Sequence, residues 1–378
     1  MIYFDTASTT KPNKEVIADV VWCLENVWGN SSSIHSEGVK ARQLLEQSRE
    51  KVATFIGADS DEIIFTSSGS ESNNLAIKGF LEANDKFGCI VTTMIEHPSV
   101  YNTCQYLRKE YKLEYVSVDE DGRIDIESLG RLMETLENTY SCFVSIMLAN
   151  NEIGTIQPIK EISKIVHKYK GILHVDATQA VGQIPVDVRE LDCDLLSFSG
   201  HKLNCPKGVG VLYKKNYITL SPIVHGGHQE KGIVAGTENL SYIYALGNQV
   251  ERIGKVKPNY TIRDYLLYEI AIKLKDFQPR LRGLLNSRLP NNISLTFKGI
   301  SAEALITLLD MRNICISAGS ACSSGEKTPS RVLKAIGLSD EDAFNTIRIS
   351  IGKDTSTEEC DEFIRILGEC LQSLKIMN

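Results

Sequence analysis

The sequence predicts an α/β protein, with a large domain on a mostly parallel sheet and a smaller α+β domain. Three observations lead there. Between Cys89 and about Leu212, short apolar runs alternate with amphipathic stretches, the pattern of buried parallel strands joined by helices. After a polar break at Lys255-Val256-Lys257-Pro258, strand-like and helix-like segments interleave, which suits an α+β unit. The 378 residues are enough for about two domains, and the change falls near 250–260.

The composition, 42% hydrophobic and 24% charged, is that of an ordinary globular protein. A net charge of -7 gives no general attraction for nucleic acid, so direct nucleic-acid binding is not expected. No apolar run is long enough to span a bilayer, and Asp5 comes too early for a signal peptide, so a cytoplasmic location is expected. None of the ten cysteines forms a C-x-x-C pair, which removes the usual zinc-ribbon and thioredoxin spacings. A reducing compartment accommodates all ten as thiols.

The elements follow in order. Ile2-Tyr3-Phe4 is strand-like and leads into the hydroxyl-rich Asp5–Thr10, expected to cap a helix starting near Asn13 rather than to line a pocket. Helices are expected at Glu15–Val27 and Gly38–Phe55, and a strand at Glu62–Thr66. The turn Ser67-Ser68-Gly69-Ser70-Glu71-Ser72-Asn73-Asn74 opens a helix at Leu75–Leu81, and its free N–H groups could hold an anion, although a plain Ser cap explains it as well. Strands follow at 89–93, 113–116, 142–147, 171–176 and 194–198. Further on, a helix from Leu240 and another at Thr261–Lys275 precede strands at 292–297, 314–317 and 346–351 and helices at 301–310, 330–336 and 356–374.

The chemistry gathers at strand ends. Lys202 closes the apolar run 194–198 through Ser199-Gly200-His201, where desolvation favours the neutral amine that forms a Schiff base with an aldehyde such as pyridoxal phosphate. Asp176 ends another buried strand and needs a partner, such as a protonated pyridine nitrogen. Asn150-Asn151 follows a third, and the imidazole in Glu96-His97 follows a fourth, where it could stack on a planar ring. In open parallel sheets, ligands bind outside the carboxyl ends of the strands. Arg348, amid apolar neighbours, calls for an anion, and Cys322 sits in a small polar loop, Ala318–Pro329, where a thiol could travel. His225 and His228 suggest a metal, but no ligand with suitable spacing completes a site, so none is expected.

In order, Ser68–Asn74, Glu96-His97, Asn150–Gly154, Asp176-Ala177-Thr178-Gln179, Ser199–Lys202, Gly319–Cys322 and Arg348-Ile349-Ser350 resemble the motifs of cysteine desulfurases in the class V aminotransferase group. The resemblance implies the fold-type I architecture, with a seven-stranded, mostly parallel sheet of the aminotransferase type. On it, 13–255 form the large cofactor domain, and 1–12 with 256–378 the small domain carrying the cysteine loop. It implies pyridoxal 5'-phosphate on Lys202, with Asp176 at the pyridine nitrogen, His97 on the ring, and Asn151 and Gln179 at the phenolic oxygen. Gly69, Ser70, Ser199 and His201 would hold the phosphate, helped by Thr237 of a second subunit, which implies a homodimer. Arg348 would bind the carboxylate of L-cysteine, and Cys322 would take the sulfur as a persulfide, leaving L-alanine.

Some positions depart from the family pattern: Val234 replaces an Arg, His228 a Gly, Ser31 a Pro and Cys205 a Gly. Cys205 is expected to be a small turn residue, with a second sulfur-carrying thiol as the alternative. The sulfur acceptor could be a protein of iron-sulfur cluster assembly, tRNA thiolation or DNA phosphorothioation. Selenocysteine lyase and a low-turnover partner-docking protein are the competing readings.

Overall fold

A computed structural model describes residues 1–319 and 328–377. Cys322 and most of its loop lie outside the described residues. The chain opens with β1 (Ile2–Tyr3) and then builds seven strands: β2 (Ile63–Thr66), β3 (Phe87–Thr93), β4 (Lys112–Val116), β5 (Ser141–Met147), β6 (Ile172–Asp176), β7 (Leu195–Ser199) and β8 (Gly210–Lys214). They form one sheet in the order β2-β8-β7-β6-β5-β3-β4. The ladders from β7 through β6, β5 and β3 to β4 are parallel, whereas β8 runs antiparallel to both β7 and β2. The reason is local: only Gly200–Val209 separates β7 from β8, too short for the crossover that a parallel pair requires.

Both faces of this sheet are covered. Val91, Val144, Val175 and Val211 join the core that packs against the helices Ser36–Phe55, Ile126–Leu136 and Ile159–Lys168, while Ile90, Phe143 and Leu212 face Leu75, Phe80 and Val100. Continuous apolar strands follow from that double cover.

Later strands are β9 (Arg280–Leu281), β10 (Asn292–Thr296), β11 (Ile314–Cys315), β12 (Ser317–Ala318) and β13 (Thr346–Ser350). β12, β13, β10 and β9 make an antiparallel sheet, and β1 pairs with β11 in parallel. The single strand expected at 314–317 is therefore two, because the chain leaves β1 at Ile316 and turns to β13. A separate core of Phe4, Leu266, Ile293, Leu305, Ile347 and Phe363 underlies these elements.

One helix starts earlier than expected. It begins at Gly69, capped by Ser68 Oγ accepting from Glu71 N at 3.1 Å, and passes through a π-helical stretch at Leu75–Gly79 before ending at Ala83. The polar run 70–74 reads as a turn because Ser and Asn favour local bonds over helix. Here those side chains are occupied inside the helix or beside it: Ser72 on Ser68 O, Asn74 on Ser70 O and Asn73 on Asp176.

Candidate active site

The carboxyl ends of β3, β5, β6 and β7 deliver most of the residues singled out from sequence. Asp176 is the last residue of β6 and is 4% exposed. Both its oxygens accept hydrogen bonds, Oδ1 from Thr178 N at 2.9 Å and Oδ2 from Asn73 Nδ2 at 2.8 Å. Lys202 ends a 3-10 turn, Gly200–Lys202, that follows β7 directly. Its Nζ donates to the carbonyls of Ala7 and Ser8, both at 2.5 Å. Gln179 Nε2 donates to the same Ala7 carbonyl at 3.0 Å.

Arg348, on β13 and 2% exposed, reaches that loop from the other side. Its Nη2 donates to Asp5 Oδ1 at 2.7 Å and to Ser8 Oγ at 2.6 Å, and Nη1 to Asn151 O at 3.0 Å. Arg348 Nε is buried without a partner among the described residues. Four residues, Asp5 to Ser8, thus tie an amine and a guanidinium together. This corrects the expectation of a capping loop: Asn13 caps the helix Lys14–Asn26 with no side-chain bond, and Thr9 and Thr10 turn to His201 instead.

His201 Nδ1 lies 3.1 Å from Thr9 Oγ1, and desolvation, helped by the neighbouring Lys202, lowers its pKa to about 4. It is therefore neutral at pH 7. Gly69 sits against the same turn: a Cβ there would stand 3.2 Å from Ser199 Cβ and 3.4 Å from Thr178 Oγ1. Ser70 is exposed one residue into the helix. A helix start, two serines and a neutral imidazole with a donor to spare suit an anion.

His97 follows β3 and caps the helix Pro98–Leu107. Desolvation lowers its pKa against the pull of Asp176, so it too is neutral. Behind it lies a layer of buried ionisable side chains whose pairings the sequence reading missed. Glu96 is fully buried, held by Thr93 Oγ1 at 2.7 Å and Met147 N at 3.2 Å, and burial raises its pKa to about 8. Arg331 bonds the carbonyls of Met94 and Glu96 and lies 3.8 Å from the Tyr101 ring centroid. Glu152 accepts from Ser330 Oγ at 2.5 Å, joining the Asn150–Gly154 loop to the segment that follows the cysteine loop. A hydrophobic pattern holds no signal for such pairings.

Other positions singled out from the sequence lie outside this set of contacts. Thr237 is exposed and shares no hydrogen bond with the residues above. His225 and His228 are exposed, and the described residues contain no cluster of three or more metal-ligating side chains. Ser31 bonds Glu238 and Val234 packs against an apolar cluster. Cys205 is 1% exposed, and burial raises its pKa to about 12, so its thiol is packed rather than poised to carry sulfur. No helix among the described residues is long and apolar enough to cross a membrane.

Comparisons agree with this architecture. The family described as aminotransferase class-V matches residues 2–363. A cysteine desulfurase IscS of Dictyoglomus turgidum is 41% identical over 384 residues, covering 100% of this chain and 96% of its own. Among solved structures, a NifS-like protein superposes with a TM-score of 0.89 at 34% identity, covering 99% of this chain and 100% of its own. A structure described as SspA in complex with cysteine gives 0.79 at 33% identity, covering 93% of this chain and 99% of that one. Enzymes of this family depend on pyridoxal phosphate. The chain belongs to the aminotransferase class-V family and, within it, to the cysteine desulfurases.

Proposed function

We propose that this chain binds pyridoxal 5'-phosphate through Lys202, removes the sulfur of L-cysteine onto Cys322, and releases L-alanine. The observation that carries the reading is the shared loop: Lys202 and Arg348 meet on Asp5–Ser8, which suits a ligand with a carboxylate a few ångströms from the atom attached to the cofactor. Two features of the site suit the cofactor. Asp176 stands buried at a strand end, where a protonated pyridine nitrogen would complete its pairing. Gly69, Ser70, Ser199 and His201 fit the phosphate, with Thr237 supplied by a second copy in a homodimer. We assign Asn151 and Gln179 to the phenolic oxygen and His97 to the ring face. The bound cofactor would take up the electron density released as substrate bonds break.

The protein's own part follows. Arg348 offers a guanidinium that is buried and pre-ordered by Asp5, Ser8 and Asn151, with Nε lacking a partner among the described residues, and a substrate carboxylate would pair with it. Lys202 would both hold the cofactor and, as a free amine, move the Cα proton of the substrate. The Cys322 thiolate attacks the substrate sulfur and keeps it as a persulfide, so that cysteine and thiolate become alanine and persulfide. We place the cofactor domain at 13–255 and the small domain at 1–12 with 256–378. A sulfur-acceptor protein completes the cycle. Borohydride reduction of the reconstituted protein followed by peptide mapping should label Lys202. Label at another lysine, or a protein that takes up no cofactor, would overturn the reading.

A further inference from the structure

Asp176 and His97 are joined by two side chains with no role so far. Asn73, 1% exposed, donates through Nδ2 to Asp176 Oδ2 at 2.8 Å and to Ser99 Oγ at 2.9 Å. Ser99 Oγ lies 2.7 Å from His97 Nδ1, and the backbone N–H of Ser99 points at the same nitrogen from 3.2 Å.

The direction of each bond can be read off the chemistry. A backbone N–H can only donate, so His97 Nδ1 must accept and carry no proton. That same bond is the N-cap of the helix Pro98–Leu107, a position that calls for an acceptor. Ser99 Oγ receives an N–H from Asn73, so its own proton goes to His97. The Asn73 amide cannot be reversed, because its carbonyl would then face Asp176 and Ser99 would lose its donor. The arrangement leaves Asn73 Oδ1 buried without a partner among the described residues, a cost that marks the amide as held by its other end.

We propose that Asn73 and Ser99 are positioning residues that hold His97 in the tautomer protonated at Nε2 and couple its ring to Asp176. The neutral imidazole then has one N–H to give, at Nε2, and its Nδ1 is closed to substrate. His97 therefore faces the reaction as a hydrogen-bond donor at Nε2, not as a base there. This rests on the roles proposed above for His97 and Asp176, but the tautomer itself does not.

Nitrogen-15 NMR of the cofactor-free full chain, with His97 identified by a His97→Gln spectrum, tests the tautomer directly. The expected result is a neutral His97 protonated at Nε2 with Nδ1 accepting a hydrogen bond. A proton on Nδ1 overturns the proposal, whatever the variants do. In Ser99→Ala the Nδ1 resonance should move towards that of a nitrogen with a weaker bond, and kcat should fall about 10-fold with KM and cofactor loading unchanged. Ser99→Thr, which restores the hydroxyl, should recover both. An unchanged His97 signal and unchanged kcat in Ser99→Ala overturn the coupling. A chain that binds no cofactor yet shows the Nε2 tautomer would sink the proposed function while leaving the hydrogen-bond assignment intact.

Discussion

Replacing Glu230 with Gln should cost this protein about 3–5 kcal/mol, the usual penalty for breaking a buried ion pair from one side. Glu230 and Arg49 meet through two bonds of 2.7 Å, and their side chains are 2% and 8% exposed. Glu230 also accepts from Phe65 N at 3.0 Å, and Arg49 donates to Ile63 O at 2.9 Å, so the pair ties β2 to the helix Ser36–Phe55 and to the loop after β8. That loop needs the tie, because Glu230 and Lys231 both adopt positive φ, 47° and 61°, which costs roughly 1–2 kcal/mol for each non-glycine residue. The amide keeps the shape but removes the charge, leaving Arg49 to Glu46, whose side chain is 57% exposed. Urea unfolding followed by circular dichroism measures the loss. Because an apolar pair avoids the stranded charge, Arg49→Met with Glu230→Leu should lose less than Glu230→Gln alone. A single-variant loss under about 1 kcal/mol, or a double variant that loses more than Glu230→Gln, would refute the reasoning.

Other outcomes follow from named contacts. Lys231→Gly should stabilise the protein by about 1 kcal/mol by removing the positive-φ cost, read as a higher urea midpoint. Arg348→Lys keeps the charge but loses the planar fork, so KM for L-cysteine should rise about 10-fold or more while cofactor absorbance stays. Cys205→Ala should leave sulfur transfer intact and cost about 1 kcal/mol, since the thiol fills a packed turn. For His167, the hydrogen bond to Asp194 at 2.9 Å raises the pKa against desolvation, with Asp192 adding to it and Lys215 opposing. A raised folded pKa means stabilisation that is complete below the unfolded value near 6.5 and lost as pH climbs through the folded one. The stability gap between wild type and His167→Gln should therefore narrow from pH 6 to pH 9, and a widening gap would contradict that sign.

The sequence carried the large sheet well because every one of its central strands is buried on both faces and reads as an apolar run. The placement of Asp176 and Lys202 at strand ends was legible for the same reason: each polar residue interrupts such a run. The antiparallel β8 was less so, since direction depends on connection length rather than on the run itself. The helix start at Gly69 was hidden by residues whose propensities argue for a turn, and only their tertiary partners make them helical. Asn73 and Glu96 stand inside motifs of the sequence, but their pairings, like those of Ser99 and Arg331, were silent, because each matters through a contact across elements and one residue's identity does not name its partner. The hydroxyls of Asp5–Thr10 suggest a cap, whereas the carbonyls of Ala7 and Ser8 and the Ser8 hydroxyl serve Lys202 and Arg348.

The most direct test of the account is to mix the reconstituted protein with one equivalent of sulfur-35 L-cysteine, without reductant, and map the label. One alanine per bound sulfur, with the radioactivity on the peptide that contains Cys322, is the predicted result. Alanine formed at full rate by Cys322→Ala, or radioactivity settling on a peptide that lacks residue 322, would contradict it.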